Sequence, residues 1–78
     1  MNTTLSTGQA IRRMRQLAGM TGEQLAELAE ISPAYLSRVE TGKSRPSNRW
    51  VATVLKQLSA AIAKKAEDDA AEAMGIPA

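Results

Sequence analysis

The chain has no cysteine and no histidine. The first absence removes disulfides and thiolate metal sites. The second removes the commonest general base and the commonest side-chain metal ligand. Phenylalanine is also missing, and Tyr35 and Trp50 are the only aromatics. A core must therefore be assembled from small aliphatic side chains, many of them alanine, which suits helices packed close together. No segment approaches the roughly 20 apolar residues of a membrane-spanning helix, and residues 1–6 lack the basic and apolar regions of a secretory signal. The cytoplasm is the expected compartment, so the glycosylation-type triplet Asn2-Thr3-Thr4 is expected to be a chance match. No stretch alternates apolar and polar residues with a period of two, so no strand signal competes. The paired acids Asp68 and Asp69 have no histidine, cysteine or glycine-rich loop to work with. Catalysis, a cofactor and a metal site are accordingly not expected.

What is present fits one small domain. At 78 residues a chain buries a single modest core, and dimerisation or ligand binding adds useful stability by mass action. Net charge is only +2, but it is laid out unevenly. Up to Arg49 there are seven basic residues against four acidic; from Trp50 onward there are three basic and four acidic. A basic front and a slightly acidic tail suit a polyanion-binding head with an assembly tail, and equally an ordinary solvated surface.

Four helix starts are legible. Ser6 with Gln9, and Thr21 with Gln24, form two capping boxes. Ser32 precedes Pro33, placed at a first helical position where its missing N–H and fixed φ do no harm. Ser47 opens a fourth helix after the loop of residues 43–47, and Gly19 and Gly42 mark helix ends. The inner stripes are predicted to be Ile11, Met14 and Ala18; then Leu25, Leu28 and Ala29, with Ala26 beside them; then Leu36 and Val39; then Val51, Val54, Leu55 and Leu58. Trp50 is expected in the core or an interface. Beyond residues 1–58 lies a tail, 59–78, in which Ile62, Ala66, Ala70 and Ala73 keep a narrow stripe and Lys64, Lys65, Glu67, Asp68, Asp69 and Glu72 stay outside. It reads as a fifth helix or as a continuation of the fourth. An alanine stripe buries little area, at roughly 25 cal/mol per Å². The tail is thus expected to need a partner surface to stay helical, with residues 75–78 frayed.

Residues 21–42 are the most informative. Only Glu30 and Ile31 separate the second helix from the Ser32 cap. Ile31 is predicted to be buried, pinning the turn, and Ala26 to be small because the third helix crosses close over it. A pair held this way exposes the start of its second member, which the major groove of B-DNA can admit.

Leu25, Ala26, Ala29, Ile31, Leu36 and Val39, with the run Tyr-Leu-Ser-Arg-Val-Glu-Thr-Gly-Lys over residues 35–43, resemble the helix-turn-helix of the lambdoid phage repressor and Cro family, also called XRE-type. The likeness covers roughly Gln9 to Leu58. Arg15 and Glu40 match a pair that the family typically buries as a salt bridge. The resemblance implies an all-α, lambda-repressor-like bundle of four to five helices with a C-terminal helical extension. It implies a phage or bacterial transcriptional regulator that binds double-stranded operator DNA, pseudo-palindromic in sequence, as a homodimer. Helix 33–41 would enter the major groove, with base contacts from Pro33, Ala34, Ser37 and Arg38. Phosphate contacts would come from the start of the second helix, Thr21, Gly22, Glu23 and Gln24, and from Lys43 and Arg45. Taken singly, Tyr35, Asn48 and Arg49 are further phosphate candidates; Asn48 could instead reach a minor-groove edge, solvated surface is the alternative for Asn48 and Arg49, and Tyr35 could instead lie against Arg38 or simply be partly buried. Among these Arg38 is best suited to read a base, because a guanidinium bonds guanine O6 and N7 together; a phosphate contact or a free surface arginine is the alternative.

Two residues depart from the family pattern. Gly22 stands where a glutamine often touches phosphate. Glu30 stands where glycine usually occupies a left-handed turn, at a cost on the order of 1 kcal/mol. Two other functions fit the same residues. The chain could be the antitoxin of a toxin–antitoxin pair that also binds its own operator, with the tail from Ala60 onward masking the toxin. It could also be a protein-interaction module that has kept the fold without binding DNA.

Overall fold

The computed structural model describes residues 6–76. The Asn2-Thr3-Thr4 triplet and Pro77-Ala78 lie outside the described residues. Four helices follow one another: α1 (Thr7–Leu17), α2 (Gly22–Ala29), α3 (Pro33–Glu40) and α4 (Asn48–Ala73). No strand occurs among the described residues, and no helix is long and apolar enough to cross a membrane.

Each helix starts where a side-chain oxygen can take an otherwise unpaired backbone N–H. The Gln9 N–H donates to Ser6 Oγ at 3.2 Å, and the Ser6 N–H donates to Gln9 Oε1 at 2.9 Å. Thr21 and Gln24 repeat the exchange at 3.1 and 2.8 Å. Ser32 and Ser47 accept from the N–H of Tyr35 and Trp50 at 3.2 and 3.1 Å.

The helices also end alike. After α3, the Lys43 N–H reaches back to the Arg38 carbonyl at 2.8 Å while Gly42 takes the left-handed φ of 80° that this closure needs. Gly19 and Gly75 hold the equivalent place after α1 and α4. After α2 it falls to Glu30, at φ 56° and ψ 46°, with the Ile31 N–H bonded to the Ala26 carbonyl at 2.9 Å. The expected left-handed turn is therefore present and is occupied by a side chain that disfavours it.

Ile11, Leu25, Ala26, Leu36, Val39, Val54 and Leu58 form one fully buried cluster, with Met14, Met20, Ile31, Tyr35, Trp50 and Leu55 packed around it. α3 lies against both α1 and α2, and α4 also packs on α1 and α2. Ala26 is 1% exposed, as a close crossing by α3 requires. Gly8 makes a second close approach: a methyl group on its Cα would overlap the Val39 carbonyl at the end of α3.

Several expectations are corrected. Leu28 is 45% exposed and takes no part in the inner stripe. Ala26 and Leu28 lie on opposite flanks of the Leu25–Ala29 line, and only the Ala26 flank is buried. Ile31 is half-buried rather than buried, packed on the rim of the core, and Ala18 is half-buried as the residue that ends α1. The tail is not a separate fifth helix, since α4 runs unbroken for 26 residues. Its end is closed rather than frayed at Gly75 and Ile76, for the Ile76 N–H bonds the Ala71 carbonyl at 2.8 Å. Ala66, Ala70 and Ala73 are exposed, so the alanine stripe does not fold back on the bundle. Lys64–Asp68 and Lys65–Asp69 pairs at 3.3 and 3.2 Å brace its polar face one turn apart.

Candidate nucleic-acid interface

The third helix divides cleanly by face. Leu36 and Val39 point into the core, while Pro33, Ala34, Ser37, Arg38 and Thr41 are exposed. Those five follow helical spacing and form a single outward stripe. Ser32, which caps the helix, is exposed as well, so the amino end of α3 is uncovered. Ala34 and Ser37 are short enough to let the backbone approach a flat surface, and Arg38 projects beyond them.

Arg15 and Glu40 hold this helix in place from behind. Arg15 Nε donates to Glu40 Oε2 at 3.0 Å and Nη2 donates to Oε1 at 2.9 Å, a two-pronged pair. Arg15 Nη1 also donates to the Met20 carbonyl at 2.9 Å. The two side chains are only 15% and 8% exposed. The hydrogen bonds to Glu40 raise the Arg15 pKa against the opposing effect of its burial, and the charges of Glu40 and Glu23 add to the rise. The pair ties the end of α1 to the end of α3 and to the chain entering α2.

Beside it runs a shallow groove lined by Arg15, Gly22, Glu23, Pro33, Leu36, Ser37 and Glu40. The start of α2 and the start of α3 thus share one edge. Within the α2 cap the N–H groups of Thr21 and Gln24 are taken by the capping box. Those of Gly22 and Glu23 are the two that a helix start leaves open to an anion. A side chain at residue 22 would meet nothing within 4 Å, so the missing glutamine is not excluded by space. The Glu23 carboxylate sits in the same first turn and opposes an anion there; only its backbone favours one.

The other candidates surround α3. Lys43 and Arg45 are exposed in the loop after it. That loop is held by the Lys43 and Ser44 N–H groups, both bonded to the Arg38 carbonyl at 2.8 and 3.2 Å. Thr41 Oγ1 donates to the Ser37 carbonyl at 2.9 Å, tightening the last turn. Asn48 and Arg49 are exposed in the first turn of α4. Next to them Trp50 meets Tyr35 edge to face, with ring centroids 5.3 Å apart and planes at 82°. The Arg38 guanidinium carbon lies 5.7 Å from the centre of the Tyr35 ring. The Trp50–Tyr35 contact and the Gly8 approach were not legible in the sequence. Both join residues on different helices, and neither has a local spacing signal.

Similarity to known proteins agrees with this geometry. A family model described as a helix-turn-helix domain matches residues 7–67. Two proteins from two strains of Mycobacterium tuberculosis, each named an uncharacterized HTH-type transcriptional regulator, are 42% identical to the chain over 60 residues. The match covers 77% of this chain but only 40% of each relative, so the chain spans less than half the length of the curated relatives it matches. No solved structure matches it. With its capped helix pair, left-handed turn and buried Arg15–Glu40 brace, the chain belongs to the helix-turn-helix domain family, in its XRE-like form.

Proposed function

We propose that the chain is the sequence-specific DNA-binding module of a transcriptional regulator, acting by occupying an operator. The observation that carries this reading is the uncovered amino end of α3, with Pro33, Ala34, Ser37 and Arg38 along one exposed face. A helix presented by its first turns is the geometry that major-groove reading uses. Arg38 would read a guanine and Ala34 a thymine methyl. The Gly22 and Glu23 N–H groups, the Thr21 hydroxyl and the Gln24 amide would meet phosphate on one side. Lys43, Arg45, Asn48 and Arg49 would meet it on the other. Phosphate contacts of this kind set register and orientation rather than sequence preference.

The working unit would be a homodimer, placing two reader helices about 34 Å apart on half-sites one turn apart. The α4 extension, with Ala66, Ala70, Met74 and Ile76 exposed, supports an assembly role for the tail. The same exposed extension favours a second reading, an antitoxin whose tail masks a toxin while its head binds DNA; co-purification of a small toxic protein would support it.

Selection of bound DNA from a random pool, with the mass of the resulting complex, tests the proposal. A two-fold symmetric motif bound by two chains is expected. Recovery of no preferred sequence, with binding insensitive to salt, would leave the chain a protein-interaction module instead.

A further inference from the structure

The salt bridges among the described residues are Arg15–Glu40, Lys64–Asp68 and Lys65–Asp69. Arg38 takes part in none of them. It is exposed, and its guanidinium lies over the ring of Tyr35. Tyr35 is half-buried, one turn before Arg38 on α3, and its ring is met by the Trp50 ring from α4. Trp50 is itself placed by the cap of α4, where its N–H donates to Ser47 Oγ, and it packs on the core cluster. A line of contacts thus runs from the core through Trp50 and Tyr35 to the one long side chain on the exposed face of α3.

An unconstrained arginine loses much rotamer freedom when it is immobilised at an interface. A cation lying on an aromatic face has already lost part of that freedom and points in a restricted direction. The edge-to-face contact with Trp50 limits where the Tyr35 ring can go. We propose that Tyr35, held by Trp50, is a positioning residue for Arg38, and that the ring pair sets how strongly Arg38 discriminates among bases. This rests on the reading of α3 as the base-reading helix. It assigns Tyr35 through its ring rather than through its hydroxyl, in contrast to a phosphate contact.

Two measurements test it. In the free protein, ring-current shifts of the Arg38 side-chain protons are expected in the NMR spectrum and should be lost in Tyr35→Leu. Their absence from the wild type would overturn the positioning role whatever the chain binds. On the selected DNA and its single-base variants, Tyr35→Leu should lower discrimination by about 2- to 5-fold, the size of an exposed cation–π contact. The loss should fall at the base pair whose preference Arg38→Ala removes. Tyr35→Phe should discriminate like wild type, Trp50→Leu should resemble Tyr35→Leu, and Tyr35→Leu should add nothing at that base pair to Arg38→Ala. Uniform weakening over all sequences by Tyr35→Phe would instead make the tyrosine a phosphate ligand and overturn the proposal. If the ring-current shifts are present but Arg38→Ala changes no base preference, the assignment of Arg38 as a reader fails while its ordering stands.

Discussion

Glu30 carries the clearest stored strain in the molecule, as the only non-glycine residue with positive φ among those described. Left-handed backbone costs an L-residue with a Cβ about 1–2 kcal/mol. Glu30→Gly should therefore raise unfolding free energy by about 1 kcal/mol, measured by denaturant titration; unchanged or lower stability would show that the turn is not strained. Glu40 works in the other direction. Its loss strands the Arg15 guanidinium, which is 15% exposed, and breaking a buried pair from one side costs roughly 3–5 kcal/mol. Since Arg15 can partly rehydrate, Glu40→Ala should cost about 3 kcal/mol, enough to unfold much of so small a domain at physiological temperature. A cooperative melt near that of the wild type would remove the pair from the account. The same pair sets no pH switch near neutrality. Because the Arg15 pKa is raised by Glu40, the stability tied to the arginine's charge is present below the ordinary arginine range and is lost as pH rises through the raised value. With no histidine or cysteine in the chain, the wild-type melting temperature should stay nearly flat from roughly pH 6 to 9.

At the scale of helices, the approach of α1 to α3 depends on one missing side chain. Gly8→Ala would drive a methyl into the Val39 carbonyl. Overpacking usually costs about 1–3 kcal/mol; here the obstacle is backbone, so about 3 kcal/mol is expected, read as a lowered denaturation midpoint. A midpoint equal to wild type would mean that α1 can lift away freely. Gly8 also marks where sequence reading stops. Ser6, Thr21, Ser32 and Ser47 announce their helices because a cap is made with residues three positions on, whereas the left-handed turn at Glu30 was legible only as a departure from the family pattern. The Arg15–Glu40 pair was legible only through family resemblance. Gly8 against Val39, Tyr35 against Trp50, and the exposure of Leu28 depend on which flank of a short helix its neighbour covers. An eight-residue helix such as α2 offers too little periodicity to decide that. For the site, the exposed residues of α3 follow from the buried ones by elimination, whereas Tyr35 lying against Arg38 was legible only as one alternative among several.

The whole bundle keeps Lys43, Arg45 and Arg49 exposed around α3, so binding to DNA should be strongly salt-dependent. With three basic phosphate candidates per subunit, the log–log slope of affinity against salt should be about −2.7 per subunit. Lys43→Ala should weaken all sequences alike and reduce the slope by about 1; a slope near zero would remove the electrostatic half of the account. The most direct test of the central claim is an NMR titration of the chain with the DNA it selects, followed at the backbone amides. The largest shifts are expected at residues 21–24, 32–38 and 43–49, with Leu28 and the α4 extension beyond Leu58 little changed apart from any dimer contact. Shifts centred on Gly19, Met20, Glu27 and Leu28, which line one depression on the bundle, with α3 unmoved, would contradict it.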